Sequence, residues 1–325
     1  MTQLAVSGSG GPVLVIGGDG FLGRAVCRTL RKAGLEAVVA DLSGSGEAAA
    51  DHVASDGGVI GLDVSDRKAV FEAVGDIRPS RIINLSYVVG PALAADPGRA
   101  VAVNLSGQIN CLDAAVRAGV GRYLHAGSIG AYGPTQDYYG DREIVEEDGC
   151  PPAHHSELYG AMKAFDEVLI AQYASRIEVC GFRFSVIFGP GRRHGFTKWT
   201  SALCERPDPG KRIEIPLSRE QRISLISDED AARLFLLAVE ADCLPARIMN
   251  SGGHDLSGED IRRYLEQMTP GISVTLRNTP GPLPFAHRFS NALAQNVLGF
   301  SLSPLGAGQA GADGTEKSCG SAAHC

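Results

Sequence analysis

The chain has 325 residues, 44% of them apolar and 21% charged, which is enough for one large or two modest cores and excludes disorder throughout. Thirty basic residues against 37 acidic ones leave a net charge of −7, with no cluster of Lys and Arg interleaved with aromatics, and this argues against nucleic acid as a partner. No stretch reaches the roughly 18 to 20 unbroken apolar residues of a membrane helix. The first residues carry no basic signal region, so a cytoplasmic protein away from membranes is expected. The eight cysteines include no CxxC pair and several lie in apolar patterns, which reads as reduced thiols, and the adjacent His154 and His155 lack a third ligand at a metal spacing.

In chain order, the first apolar run is VLVI (13–16), a strand buried on both faces. It runs directly into Gly17-Gly18-Asp19-Gly20-Phe21-Leu22-Gly23, which opens a helix expected over 21–33 and closed by Gly34. Glycines are needed at such a junction where a Cβ would block the turn, hold the backbone off a pyrophosphate, or part helix from strand. The free amides and the helix dipole then receive phosphates, so a dinucleotide site is expected here, with an ordinary strand-to-helix turn as the competing reading. The second strand, AVVA (37–40), ends at Asp41, 24 residues after Gly17, where a carboxylate accepts hydrogen bonds from an adenosine ribose diol. The same charge repels a 2′-phosphate and no Arg or Lys follows to neutralise one, which favours NAD over NADP; a solvated turn aspartate is the alternative. Asp63 and Val64, after a third strand at 58–62, are placed to flank the adenine, against the plainer reading that Asp63 or Asp66 caps a helix over 66–74.

Further strands are expected at 81–85, 122–126 and 179–188, with helices at 98–118 and 157–175, then a helix at 228–240 and a seventh strand near 247–251. Strand, helix, strand repeated in this way predicts a doubly wound parallel sheet of about seven strands, an α/β fold of the Rossmann type. From Gly189 onward prolines and glycines break the pattern, and the helices at 196–204, 257–268 and 290–298 are too scattered for another such sheet. The expected organisation is a flexible start over 1–11 and a nucleotide domain over 12–190 rejoined by 222–251. A smaller C-terminal lobe for substrate takes 191–221 and 252–303, and a Gly- and Ala-rich disordered tail takes 304–325.

Tyr159 and Lys163 lie four residues apart in SELYGAMKAF, so on a helix they share one face. An ammonium beside a phenol stabilises the phenolate and makes a usable acid/base of it. At the C-terminal end of the fifth strand stands Ser128, in HAGSIGAYG, placed to hold a substrate oxygen while Tyr159 exchanges its proton. A hydroxyl that caps its own turn is the alternative.

GGDGFLG, AGSIGAYG, YGAMK and FRFSVIFGPGR, in this order and at these intervals, resemble the extended short-chain dehydrogenase/reductases, the group of NAD-dependent sugar epimerases and dehydratases. The resemblance covers roughly residues 12–300 and includes Asn84-Leu85-Ser86, Asp96-Pro97, Asn104 and Asn250-Ser251-Gly252-Gly253. It implies that Gly17, Gly20, Phe21 and Leu22 line the pyrophosphate, Asp41 the ribose, Asp63 and Val64 the adenine, and Leu85 and Ser86 the inner face of the cofactor. It further implies that Tyr159 is the acid/base, that Lys163 binds the nicotinamide ribose, that Ser128 orients the reacting oxygen, and that the backbone at Ser185 passes the nicotinamide. Gly121 and Arg122 look structural. Relatives of this kind also imply a homodimer through the helices at 98–118 and 157–175.

Two positions depart from the pattern of nucleotide-sugar enzymes. Val186 stands where they carry an asparagine, and Ile223 where they carry a phosphate-binding arginine, with Arg222 one residue away. Relatives that act on small acids lack these groups too, so the resemblance favours a small hydroxy or sugar acid, or a similar polar alcohol, with Arg192, Arg193 and Lys198 as candidates for holding its anionic group against the reading of a solvated basic turn, and with Arg222 as the substrate-binding anchor should the ligand be a nucleotide sugar. The expected function is oxidation of a secondary alcohol to a ketone. The rivals are a nucleotide-sugar 4-epimerase or dehydratase and a catalytically silent NAD-binding sensor or scaffold.

Overall fold

The computed structural model describes residues 10–42, 58–133, 135–149, 154–155, 157–192, 197–205, 208, 210–245, 247–281 and 286–305. Arg193, the chain start up to residue 9 and the tail from 306 lie outside them.

Strand β1 (Val13–Ile16) shows how the layers arise. Val13 and Val15 enter one apolar cluster while Leu14 and Ile16 enter another, as side chains alternating across a strand must. β2 (Ala37–Asp41) and β3 (Val59–Gly61) extend the sheet to one side, with α1 (Phe21–Lys32) between β1 and β2. After α2 (Arg67–Ile77) the chain crosses to β4 (Arg81–Asn84) on the other side of β1. Two short helices, α3 (Pro91–Ala95) and α4 (Pro97–Val101), and the longer α5 (Gly107–Ala118) lead to β5 (Arg122–Ser128). The short α6 (Gln136–Tyr139) and α7 (Leu158–Ala171) precede β6 (Glu178–Phe184). β7 (Val186–Phe188), β8 (Arg212–Ser218) and β9 (Arg222–Ser227) follow, then α8 (Asp228–Glu240) and β10 (Ile248–Asn250). β11 (His254–Ser257), α9 (Gly258–Met268), β12 (Ser273–Arg277) and α10 (Ala292–Leu298) complete the described elements.

The central sheet has seven parallel strands in the order β10-β6-β5-β4-β1-β2-β3, the doubly wound arrangement expected. One face packs on α1 and α8 through Val26, Leu30, Phe182 and Phe235, the other on α2 and α5 through Val70, Val74, Cys111 and Leu112. The winding reverses between β1 and β4, so the crevice at the C-terminal ends of β1, β4 and β5 is where such a sheet binds ligands.

Three elements differ from expectation. The run 179–188 is two strands: β6 stays in the large sheet while β7 joins β9 and β11 in a separate three-stranded sheet. The break falls at Ser185, whose amide is taken by Ser251 Oγ at 3.1 Å and whose hydroxyl pairs with Ser224 Oγ at 2.8 Å, so its polar groups leave the ladder. The helix expected over 98–118 contains a π-helical turn, Ala102–Ser106. Residues 198–203 form a 3-10 turn rather than the helix expected there. Within 222–251, β9 lies in the small sheet while α8 and β10 return to the large one. The small sheet, the parallel pair β8–β12 and α9 enclose their own core, with Phe188, Ile215, Ile223 and Leu265 at its centre.

Candidate active site

The glycine turn is built as the sequence reading requires. Gly17 has φ +75°, and a Cβ there would lie 2.8 Å from the Leu85 carbonyl carbon, so the turn presses on the end of β4. A Cβ on Gly23 would lie 2.3 Å from Gly17 O, which means the first turn of α1 packs directly on the loop. The α1 N-cap is Gly20, with no side-chain cap and no acidic residue in the first turn. Its leading amides and positive dipole end are therefore left for an anion, and this cradle fits the pyrophosphate of a dinucleotide. Asp41 lies at the end of β2 and its Oδ2 accepts the Asp19 amide at 3.1 Å, so the carboxylate sits at the rim of the turn.

Other candidates are already engaged. Asp66, not Asp63, caps α2, accepting the Ala69 amide at 3.1 Å. Asp63 Oδ1 accepts the Ser65 amide and hydroxyl at 2.9 and 2.7 Å, and its Oδ2 pairs with Arg99 at 2.8 Å. Burial alone would raise the Asp63 carboxyl, but the Ser65 hydrogen bonds and the Arg99 guanidinium hold it below its ordinary range. The Val64 carbonyl takes the Asn110 amide at 2.9 Å. Leu85 donates its N–H to Ile16 O at 2.8 Å, and the Ser86 hydroxyl donates to Asn84 Oδ1 at 2.6 Å. Arg122 is structural as expected: fully buried, it pairs with Glu178 at 2.5 Å and donates to the Ala241 carbonyl at 2.8 Å.

Ser128 ends β5 with its hydroxyl accepting the Gly130 amide at 3.0 Å, so it does cap its own turn. It also faces the catalytic candidate across that turn: a Cβ on Gly130 would lie 3.3 Å from Ser128 Oγ and 3.4 Å from Tyr159 Cε1. α7 reaches this close because residue 160 is a second glycine, where a Cβ would lie 2.5 Å from Gly130 O. Burial raises the Tyr159 phenol above its ordinary range, while the Ser128 hydrogen bond and then the Arg192 guanidinium draw it back.

Lys163 is on the expected helix face, and its direct contacts are with Ala126 and Tyr87. Its Nζ lies 6.0 Å from the Tyr159 ring centroid, donates to the Ala126 carbonyl at 2.8 Å and sits 3.2 Å above the ring of Tyr87. Next to it, His125 is pushed down to about 3 by burial and by the Lys163 charge and is a neutral packing group, fitted against β6 where Gly181 leaves room for the imidazole.

The substrate-side candidates separate. Arg222 is held by Asp255, Nε to Oδ1 at 2.8 Å, and His287 Nδ1 shares that same oxygen at 2.9 Å, so its charge is largely spent within the lobe. Ile223 is buried in the lobe core. Arg192 donates to Ile187 O at 2.7 Å, stands 5.4 Å from the Phe21 ring centroid, and leaves its buried Nε without a partner. It borders a cavity of about 640 Å³ that Lys198, Trp199 and Glu205 also line, and the Trp199 Nε1 donor is likewise unpartnered.

The sequence reading named Asn104 without a role for it and did not single out Tyr87 or Asp166. Asn104 lies in the π turn and clamps the loop after β4, accepting the Val88 amide at 2.7 Å and donating to its carbonyl at 3.1 Å. A π turn inside a helix often marks a functional site, but no residue type announces one. Asp166 meets Lys163 from the next turn of α7, an i, i+3 spacing the sequence shows, whereas Tyr87 comes from the loop after β4, which no spacing in one segment can reveal.

Comparison with known proteins agrees with this fold. The profile of the NAD dependent epimerase/dehydratase family matches residues 13–252. The chain is similar to the mitochondrial L-threonine 3-dehydrogenase of Bos taurus, 26% identical over 279 residues, 82% of this chain and 71% of that protein. It is also similar to the D-erythronate dehydrogenase of Cupriavidus necator, 27% identical over 279 residues, 81% of this chain and 78% of the other. Among solved structures, the UDP-glucose 4-epimerase of Thermus thermophilus in complex with NAD superposes with a TM-score of 0.72 at 22% identity, over 90% of this chain and 94% of that one.

Proposed function

The chain belongs to the NAD-dependent epimerase/dehydratase family, and from that premise we propose that it is an NAD-dependent oxidoreductase that oxidises a secondary alcohol of a small hydroxy or sugar acid. The observation that carries this reading is Ser128 facing Tyr159 across Gly130, at the end of β5 and beside the glycine cradle. Gly17, Gly20, Phe21 and Leu22 would hold the pyrophosphate of the cofactor, Asp41 its ribose diol, Asp63 and Val64 the adenine edge, and Lys163 the nicotinamide ribose. When bound, NAD supplies a hydride acceptor at C4 of its nicotinamide. Ser128 Oγ would hold the substrate hydroxyl, and Tyr159 Oη, ionised with the Ser128 hydrogen bond and the Arg192 charge opposing its burial, would take the proton of that hydroxyl. Arg192, with a buried donor unpaired and an open cavity beside it, is suited to the acid group of the substrate. Arg193 remains a candidate on sequence alone.

The rival substrate class is a nucleotide sugar. Its diphosphate needs matched donors, because burying such a group unpaired costs several kcal/mol. Ile223 offers none, and Arg222 is already paired with Asp255. UDP and dTDP added to the NAD-loaded protein are therefore expected to bind no tighter than the millimolar range, about 4 kcal/mol by calorimetry. Micromolar binding would restore the nucleotide-sugar reading.

A homodimer fits the exposed apolar side chains along α7, Leu158, Phe165 and Val168, together with Val101 at the end of α4. Light scattering on the purified chain separates one copy from two. Among the described residues no helix is long and apolar enough to cross a membrane.

A further inference from the structure

Lys163 is only 5% exposed, and an ammonium so buried gives up its charge unless something holds it. Two carboxylates follow it on α7. Glu167 is already neutralised, gripped by Arg183 of β6 through two bonds of 2.9 and 2.7 Å. Asp166 has no such cation: it is 4% exposed, and its Oδ2 faces Lys163 Nζ at 3.9 Å. From the loop after β4, Tyr87 lays its ring 3.2 Å from the same Nζ, and its buried hydroxyl supports the Asp166 carboxylate, lowering its affinity for a proton. The remaining titratable neighbours are His125 of β5, which burial keeps neutral, and Tyr159 on α7 itself.

We propose that Asp166 and the ring of Tyr87 are positioning residues that keep Lys163 charged in its buried site, so that it retains the full set of ammonium donors for the reaction. One of the three donors is spent on Ala126 O, and loss of the charge would remove another. The directions agree: burial pulls Lys163 below its ordinary range with Asp166 opposing, and burial raises Asp166 with Lys163 opposing. This rests on Lys163 serving the site as proposed above, but its test need not.

Asp166→Asn removes the counter-charge, so Lys163 loses its proton at a lower pH. The alkaline limb of kcat/KM is expected to move down by about one pH unit or more, a tenfold loss at the pH where the wild-type limb begins. Asp166→Glu should restore the wild-type limb. Tyr87→Leu, which removes the ring but no charge, should move the limb the same way and supplies the test if Asp166→Asn fails to fold. Independently of any activity, the pH at which Lys163 in the cofactor-free protein begins to react with an acylating reagent, read by mass spectrometry, should fall in step. A protein without the proposed activity would still show that shift, which separates failure of this inference from failure of the functional reading. Variants that fold and lose activity while both the limb and the acylation profile stay in place would overturn the inference.

Discussion

Tyr159→Phe is expected to lower turnover by roughly two to four orders of magnitude while leaving NAD binding and the melting temperature near their wild-type values. In the proposed mechanism the tyrosine oxygen is the proton acceptor beside Ser128, and its nearest titratable neighbours are poor substitutes: His125 is buried and neutral, and Lys163 Nζ lies 6.0 Å from the ring and donates to Ala126 O. The fold should tolerate the change because the ring remains. It packs edge-on against Tyr87 at 5.9 Å and closes over Gly130, and both contacts are made by carbon atoms that phenylalanine keeps. Turnover within a few-fold of wild type, measured in the direction of NADH formation, would remove Tyr159 from the mechanism.

Gly23→Ala is the second large effect expected, and it acts on the cofactor rather than the chemistry. The added methyl would lie 2.3 Å from Gly17 O and 2.6 Å from Gly18 Cα, both backbone atoms with no rotamer to yield. The turn must therefore lift away from α1, which parts the leading helix amides from the loop that completes the phosphate cradle. NAD affinity should fall about a hundredfold, ~2.7 kcal/mol, with overpacking costing a further 1–3 kcal/mol of stability by typical figures. Calorimetric titration with NAD beside a thermal melt checks both; affinity within about threefold of wild type would mean the cofactor does not use this turn.

The large sheet was legible from residues 13 to 126 because the strands there are short apolar runs, most of them followed by a glycine or an aspartate, and the long helices α1 and α5 are closed by Gly34 and Gly119. Legibility failed where tertiary contacts overrode local pattern. The run VCGFRFSVIF looks like one strand, yet Ser185 is captured by Ser251 and Ser224 from distant segments, and the chain changes sheets there. At the site, the i, i+4 spacing of Tyr159 and Lys163 correctly put them on one helix, but spacing says nothing of what else approaches that face. Tyr87, from the loop after β4, lies 3.2 Å from the lysine Nζ, and only the fold brings it there. Arg222 was read as an available cation one residue from a key position; its partner Asp255 lies 33 residues away on the paired strand β11 and is invisible to a local reading.

The central claim is that Ser128, Tyr159 and bound NAD oxidise a small acidic alcohol. It is tested most directly by following NADH absorbance as the purified protein with NAD meets a panel of hydroxy acids, sugar acids, hydroxy amino acids and nucleotide sugars. The expected result is saturable NADH formation with at least one small acid, lost in Tyr159→Phe and weakened chiefly in KM by Arg192→Ala. Reduction of NAD by nucleotide sugars alone, or by no member of a broad panel despite tight NAD binding, would contradict it.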